Sequence, residues 1–212
     1  MSRPVDTQRR SELASRALDV LRARGIGRTT MSELATALGV KRPTLYFYFR
    51  DLTALLHAAI EDVYRGYFAH VTARVSGIEH PIEALGELAR ATVEFHRGRR
   101  DLVVLLFQLW AAGDADPEAL LARSRAVGEP LRAELIARLR AGIERKVVAR
   151  CDPERVVDLV LTVLDGTIVQ EVTRGASGAP VVDELWQRVL APLVIVRPAA
   201  RRRPRVTASV TR

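Results

Sequence analysis

The stretch GVKRPTLYFYF, residues 39–49, combines two adjacent cations, a proline and five consecutive apolar or aromatic residues. As a β-strand it would lose a ladder hydrogen bond at Pro43, which has no backbone N–H. As a helix it places Pro43 in the first turn, where proline is tolerated. The helical interpretation packs Val40, Leu45 and Phe49 inward. It leaves an outward surface made of Lys41, Arg42, Thr44, Tyr46, Phe47 and Tyr48.

A shorter helix is predicted directly before this stretch. Thr30-Met-Ser-Glu33 has the form of a capping box, with Thr30 as N-cap and Glu33 reaching back to it. An apolar stripe follows at Met31, Leu34, Ala35 and Leu38, and Gly39 stands where the chain must turn left-handed. A short helix, a glycine turn and a second helix make a helix-turn-helix.

The outward residues of the second helix suit DNA better than water alone. Cations bind phosphates and guanine edges, a threonine offers a hydroxyl and a methyl group, and tyrosine hydroxyls bind phosphate oxygens. We therefore expect this helix to lie in a groove of double-stranded DNA. The predicted DNA-binding residues are Thr30, Lys41, Arg42, Pro43, Thr44, Tyr46, Phe47 and Tyr48.

The net charge of +8 is distributed unevenly along the 212 residues. Residues 1–50 carry 10 Arg or Lys against 4 Asp or Glu, and residues 197–212 carry six Arg and no acid. Each of these segments is +6, so the 146 residues between them are net −4. We call residues 1–50 the head and the 146 residues that follow them the body. A basic head on an acidic body favours a polyanionic partner. The alternative is an all-helical adaptor protein whose basic head binds an acidic protein.

The run TTMSELATALGVKRPTLYFYFRDLTALLHAAI, residues 29–60, resembles the N-terminal region of TetR-family (tetracycline-repressor-like) transcriptional regulators. The paired Thr29-Thr30, the Ala-x-x-x-Gly-Val turn and Thr44-Leu45-Tyr46 with Phe49 carry the resemblance, which extends over about residues 7–67. Leu52 stands where the family often has a lysine against the DNA backbone, a contact that Arg50 or backbone amides could supply instead.

The resemblance implies an all-α, nine-helix architecture. Its two domains would be a DNA-binding domain at residues 7–67 with the helix-turn-helix at 29–48, and a ligand-binding and dimerisation domain at 68–196. The low-complexity composition of residues 197–212 predicts a basic disordered tail. The resemblance also implies a repressor that binds a palindromic operator as a homodimer and is released by a small molecule. The residue pattern places body helices from about Asp51 to Val75, from Pro81 to about His96, over 101–111, from Pro117 to about Val147, and after Pro153 and Pro180.

The last two predicted helices suggest a dimer. Apolar residues between Val156 and Val172 cover more than one stripe, so that helix would bury two faces. The alternative is a central core helix within one chain; in TetR-like proteins the last two helices form a four-helix dimer interface. The predicted interface residues are Leu164, Gly166, Leu185, Trp186 and Val189.

Aromatic residues follow the head on the middle helices: Tyr64, Phe68, Phe95, Phe107 and Trp110. Such residues are commonly plain core. By the resemblance, the middle helices enclose a ligand cavity, and an aromatic lining would suit a flat or lipophilic effector.

No motif of an enzyme, a cofactor site or a metal site occurs in the sequence. His57, His70, His80 and His96 lack the spacing of a zinc protease, and neither a nucleophile elbow nor a phosphate-binding loop is present. The longest apolar run, Leu102–Phe107, is far below the ~18 residues of a membrane span. With one cysteine, Cys151, and no signal-like N-terminus, we expect a cytoplasmic protein without cofactors and without membrane contact.

Removal of residues 197–212 tests the role of the six tail arginines. We expect truncation after Val196 to leave dimerisation and operator choice unchanged, because the segment has too few apolar residues to pack. Any loss should affect non-specific DNA affinity, with a shallower dependence of log K on log salt in a binding titration. A folded, dimeric truncation that no longer recognises its operator would contradict this expectation.

Overall fold

The computed structural model of the chain describes residues 6–25, 28–99, 102–104 and 117–195. The described parts are all-α, as expected, and residues 102–104 form a further helical segment between α5 and α6. The eight bounded helices are α1 Thr7–Arg24, α2 Met31–Leu38, α3 Arg42–Tyr48, α4 Leu52–Val75, α5 Pro81–His96, α6 Pro117–Glu144, α7 Pro153–Arg174 and α8 Ala179–Leu185.

Local signals set most of the helix starts. The Asp51 carboxylate accepts a hydrogen bond from the Ala54 amide at 2.7 Å and caps α4. Asp152 caps α7 through the amides of Glu154 and Arg155. Proline occupies the first turn of α5 and of α7, where its missing N–H would have no helical partner in any case.

Two hydrophobic clusters hold the helices together. The first, which we call the head core, combines α1, α2 and α3 with the N-terminal half of α4, including Leu55 and Leu56. The second, the body core, combines the C-terminal end of α4 with α5 to α8. The buried α4 residues in it are Val71 and Val75. Helix α4 therefore contributes to both cores, and its 24 residues make it about 36 Å long.

The final helix differs from the expected one. Its regular α-helical part ends at Leu185 and continues as a π-turn over Trp186–Leu190 and a 3₁₀ turn over Ala191–Leu193. The Ala191 amide closes the π-turn on the Trp186 carbonyl, and Pro192 has no N–H with which to continue an α-helix. Local propensity did not reveal this change of winding.

A short antiparallel pairing fixes the end of the described chain. The Ala149 amide donates to the Leu193 carbonyl at 2.8 Å, and the Ile195 amide donates to the Val147 carbonyl at 3.0 Å. The Val147 carbonyl also lies 3.1 Å from His80 Nε2, next to the start of α5. Residue 195 is therefore held at the Val75 end of α4, away from α3.

Some expectations extend beyond the described residues. The helix predicted over 101–111 is described at residues 102–104, where Val103 is buried, and Phe107 and Trp110 lie outside the described part. Residues 196–212 also lie outside it. Among the described helices, none is long and apolar enough to cross a membrane.

Gly142 lies at a close approach between α6, α5 and the segment after α6. A Cβ atom there would lie 2.7 Å from Val148 Cγ2 and 2.9 Å from Pro81 Cγ, and Val148 is itself buried. Overpacking costs about 1–3 kcal/mol, which exceeds the ~1 kcal/mol that alanine gains over glycine in a helix. We expect Gly142→Ala to lower the midpoint of urea unfolding at fixed protein concentration.

The matched control is Gly66→Ala in α4, where a Cβ would have no described neighbour within 4 Å. This variant should unfold at a higher urea concentration than the wild type, because only helix propensity changes. A Gly142→Ala midpoint at or above that of Gly66→Ala would show that this packing is loose.

Candidate nucleic-acid interface

The turn between α2 and α3 has the geometry that the sequence predicted. Thr30 and Glu33 form a complete capping box at the start of α2. At its end Gly39 is left-handed, with φ 68° and ψ 30°, which only glycine adopts freely. The Val40 amide donates to the Ala35 carbonyl at 3.0 Å, and the Arg16 guanidinium of α1 donates to the Leu38 carbonyl at 2.9 Å. The last carbonyls of α2 are thus satisfied, and the direction of α3 is fixed.

The inward face of α3 is anchored in the head core. Leu45 and Phe49 are fully buried, while Val40 and Tyr48 pack partly against the same cluster. Because Leu45 and Phe49 are four residues apart, they lie on one side of the helix and orient the rest of it outward.

The predicted contact residues of α3 come together on that outward side. The exposed ones are Lys41, Arg42, Pro43, Thr44, Tyr46 and Phe47, and Tyr48 is half-buried. The Arg42 guanidinium lies over the Tyr46 ring, 5.4 Å from its centroid, a cation–π contact between residues four apart. The Phe47 and Tyr48 rings meet edge to face, with centroids 5.1 Å apart. The side chains of this surface are therefore partly ordered by one another.

Thr30 is exposed at the start of α2, but its hydroxyl is already engaged. It donates to the Glu33 carboxylate at 2.8 Å and accepts from the Glu33 amide at 3.3 Å. Hydrogen bonds from the Thr30 amide and hydroxyl hold the pKa of the Glu33 carboxyl below its ordinary value. The Thr30 hydroxyl proton could therefore reach a phosphate oxygen only by leaving Glu33.

Arg50 and Leu52 occupy the junction between α3 and α4. Leu52 is half-buried against the head core, so it serves packing. The Arg50 side chain is exposed and pairs with Asp51 at 2.9 Å. A cation is thus present beside α3, next to Leu52.

A second candidate site lies on α4 and α5, where the head core meets the body core. Of the predicted ligand-contacting residues, Tyr64 and Phe68 stack with centroids 6.5 Å apart, and Phe95 joins the same group through Tyr67 at 5.4 Å. Sequence reasoning missed the polar members of this group. The Tyr67 hydroxyl lies 3.0 Å from Thr92 Oγ1, and His96 Nδ1 donates to the Thr92 carbonyl at 2.9 Å.

Burial controls the charge state of this polar group. It raises the pKa of the Tyr67 phenol and lowers the pKa of the His96 imidazole, the latter against the effect of the Thr92 hydrogen bond. A neutral His96 with its proton on Nδ1 keeps Nε2 as a hydrogen-bond acceptor. The signal in the sequence was the presence of Tyr67 beside Phe68 and of Thr92 and His96 close to Phe95.

The predicted dimer residues fall into two groups. Leu164 and Leu185 are buried in the chain's own body core, and Val189 packs against it. Trp186 also packs within the chain: its ring lies against Gly86, where a Cβ would be 2.7 Å away, and under the Arg90 guanidinium at 5.3 Å. Gly166, in contrast, is exposed on α7.

Groups of three or more His, Cys, Asp or Glu side chains that could hold a metal ion are absent from the described residues.

Comparison with known proteins identifies the fold. Residues 13–59 match the sequence profile described as "Bacterial regulatory proteins, tetR family". None of the curated protein sequences compared with the chain matches it significantly.

Solved structures match over most of the chain. A TetR transcription regulator from Haloarcula marismortui has a TM-score of 0.75 at 20% identity and covers 89% of this chain and 100% of its own. The TetR family transcriptional regulator PfmR from Thermus thermophilus has a TM-score of 0.64 at 22% identity, covering 87% and 99%. AibR, solved with isovaleryl coenzyme A and operator DNA, has a TM-score of 0.61 at 18% identity, covering 86% and 98%. The N-terminal segment thus matches the TetR family profile, and most of the chain shares the all-α fold of solved TetR transcription regulators.

Proposed function

We propose that the chain is a homodimeric repressor that binds a palindromic DNA operator through α3 and is released by a small molecule. The observation that carries this proposal is the outward surface of α3. It combines Lys41 and Arg42, an exposed threonine at Thr44, and two exposed aromatic rings. A face that merely kept the protein in water would not need exposed aromatic side chains.

The charges around α3 favour a polyanion. Lys41 and Arg42 form no ion pair with any described acidic residue, so their charge is available to a partner. Arg42 is also held over Tyr46, which restricts its rotamers before binding. A guanidinium group that is positioned before binding can donate two hydrogen bonds to a guanine edge. Such a contact is specific to DNA and is not needed for binding an acidic protein surface.

The domain boundaries proposed from sequence are supported by the two cores. The last α4 residue that packs against the head core is Tyr64, and the first that packs against the body core is Tyr67. We therefore place a DNA-binding domain at 7–67, a ligand-binding and dimerisation domain at 68–196, and a basic tail at 197–212.

The exposed stripe of α7 is the surface that we propose for the dimer. Leu159 and Val169 are exposed large hydrophobic residues, and Gly166 lies between them with no described neighbour within 4 Å of a Cβ. Positions 159, 162, 166, 169 and 173 recur at helical spacing and lie along one side. A twofold dimer would place two α3 helices in successive major grooves, about 34 Å apart.

The effector is proposed to bind next to the aromatic group of α4 and α5. Tyr64, Phe68 and Phe95 offer flat apolar surface, and His96 Nε2 offers an acceptor to a hydrogen-bond donor on the ligand. The structure of AibR with both operator DNA and isovaleryl coenzyme A shows one protein of this fold binding DNA and a small molecule together. Release would follow if the effector favours a different spacing of the two α3 helices.

Arg42→Ala tests the reading of DNA by α3. We expect a loss of about 1–3 kcal/mol in operator binding, since a bidentate contact to a base edge would disappear. The measurement is a titration with the selected palindrome and with random duplex DNA at several salt concentrations. Arg65→Ala, which removes an exposed cation on α4, is the matched control.

The relative losses decide what Arg42 does. Equal weakening on palindrome and random DNA would reduce Arg42 to a phosphate contact. A wild-type protein that shows no preference for any duplex, with or without salt, would instead favour an acidic protein partner for the basic head.

Gly166→Ala tests the proposed dimer surface. In an isolated chain, alanine at this exposed helical position should stabilise α7 by ~1 kcal/mol. At a close helix–helix contact, the added methyl group should weaken association. We therefore expect a dimer dissociation constant at least several-fold higher than that of wild type, measured by sedimentation.

Gly66→Ala provides the comparison, because it makes the same change on an exposed face of α4. It should raise the free energy of unfolding and leave the dimer dissociation constant unchanged. If both variants dimerise as the wild type does, the interface lies elsewhere. Leu185 is unsuitable for this purpose because it is buried within its own chain, and a polar residue there would unfold the body.

A further inference from the structure

The most outward point of α3 is apolar. Leu45 and Phe49 define the inward direction, and at 100° per residue Phe47 lies about 180° from the line midway between them. Pro43, one turn earlier, lies on nearly the same outward line. By the same rotation Tyr46 and Tyr48 lie on the two flanks, and Lys41 and Arg42 are exposed at the N-terminal end of the helix. The side chain that would reach deepest into a groove is therefore a phenyl ring.

The phenyl ring of Phe47 is uncovered by the described chain. Phe47 is 52% exposed, and among the large hydrophobic residues described as exposed it has the highest exposed fraction. Tyr48 holds it from one side with an interplanar angle of 86°. Because its rotamers are already restricted, the Phe47 side chain loses less conformational entropy when it contacts an apolar group of a partner.

The surroundings of Phe47 specify the kind of partner. Lys41 and Arg42 precede Phe47 in the chain, and Arg50, which pairs with Asp51, follows it; all three side chains are exposed. Exposed cations near the ring suit a phosphate backbone better than an apolar protein pocket. In the major groove, the apolar feature of a base edge is the C5-methyl group of thymine, which phenyl rings contact.

We propose that Phe47 is a specificity-determining residue that selects a thymine in each operator half-site by contact with its C5-methyl group. The inference rests on the proposed DNA-binding function and adds to it the base that the tip of α3 recognises. Because Phe47 has no hydrogen-bonding group, a guanine, cytosine or adenine at the same position would leave the ring against a polar edge.

The test deletes the methyl group without changing base pairing. A duplex is first selected by the wild-type protein from a randomised pool. Each dT is then replaced singly by dU, and binding is measured for wild type, Phe47→Ala and Phe47→Leu. For wild type we expect about a fourfold loss for the thymine in contact, from the free energy of burying one methyl-sized group, and no loss elsewhere.

The variants identify the side chain responsible. Phe47→Ala should bind the selected duplex more weakly and show no response to the same replacement, whereas Phe47→Leu should retain part of the response. Such non-additivity is the signature of direct contact. Because Phe47 is outside both cores, unchanged thermal unfolding of each variant should accompany these results.

Two outcomes would overturn the inference while leaving DNA binding intact. One is a wild-type protein for which no dU replacement changes affinity for the selected duplex. The other is a Phe47→Ala variant that remains as sensitive as wild type to the deleted methyl group. A selection that enriches no duplex at all is a different result, since it refutes sequence-specific binding and with it the thymine contact.

Discussion

The burial of one helix in two separate cores is the constraint on which this structure depends. The N-terminal half of α4 packs Leu55, Leu56 and Ile60 into the head core, and its other end packs Val71 and Val75 into the body core. Neither set of contacts can form correctly unless α4 is continuous between them. The orientation of α3 follows from this, because α3 ends at Tyr48, Phe49 is its C-cap, and Asp51 then caps α4. Helix α4 thus connects the packing of the body core to the position of α3.

The helix-turn-helix of the head is already ordered within the single chain. Arg16 satisfies a carbonyl at the end of α2, Gly39 turns without strain, and Leu45 with Phe49 fixes the rotation of α3. The outward side chains then restrain one another through ring contacts. An interface that is ordered before it meets its partner loses less conformational entropy on binding, so more of its contact energy becomes affinity.

The sequence predicted the features that local chemistry determines. The capping box at Thr30, the left-handed Gly39 and the proline-initiated helices all depend on residues within one or two turns of each other, and each is confirmed. Features set by distant residues were not predictable in this way. Nothing near Trp186 in the chain reveals that its ring meets Gly86, a hundred residues earlier. Likewise, the link between Tyr67 and Thr92 depends on the packing of α4 against α5.

The antiparallel pairing of residues 147–149 with 193–195 has a practical consequence for handling the protein. It anchors Ile195 at the Val75 end of α4, and α3 stands at the Leu52 end, about 36 Å away along that helix. A fluorophore or surface linker attached at residue 195 itself would therefore be remote from α3. Immobilisation at that position should present α3 to solution, whereas a label at the start of α1 would lie within the head.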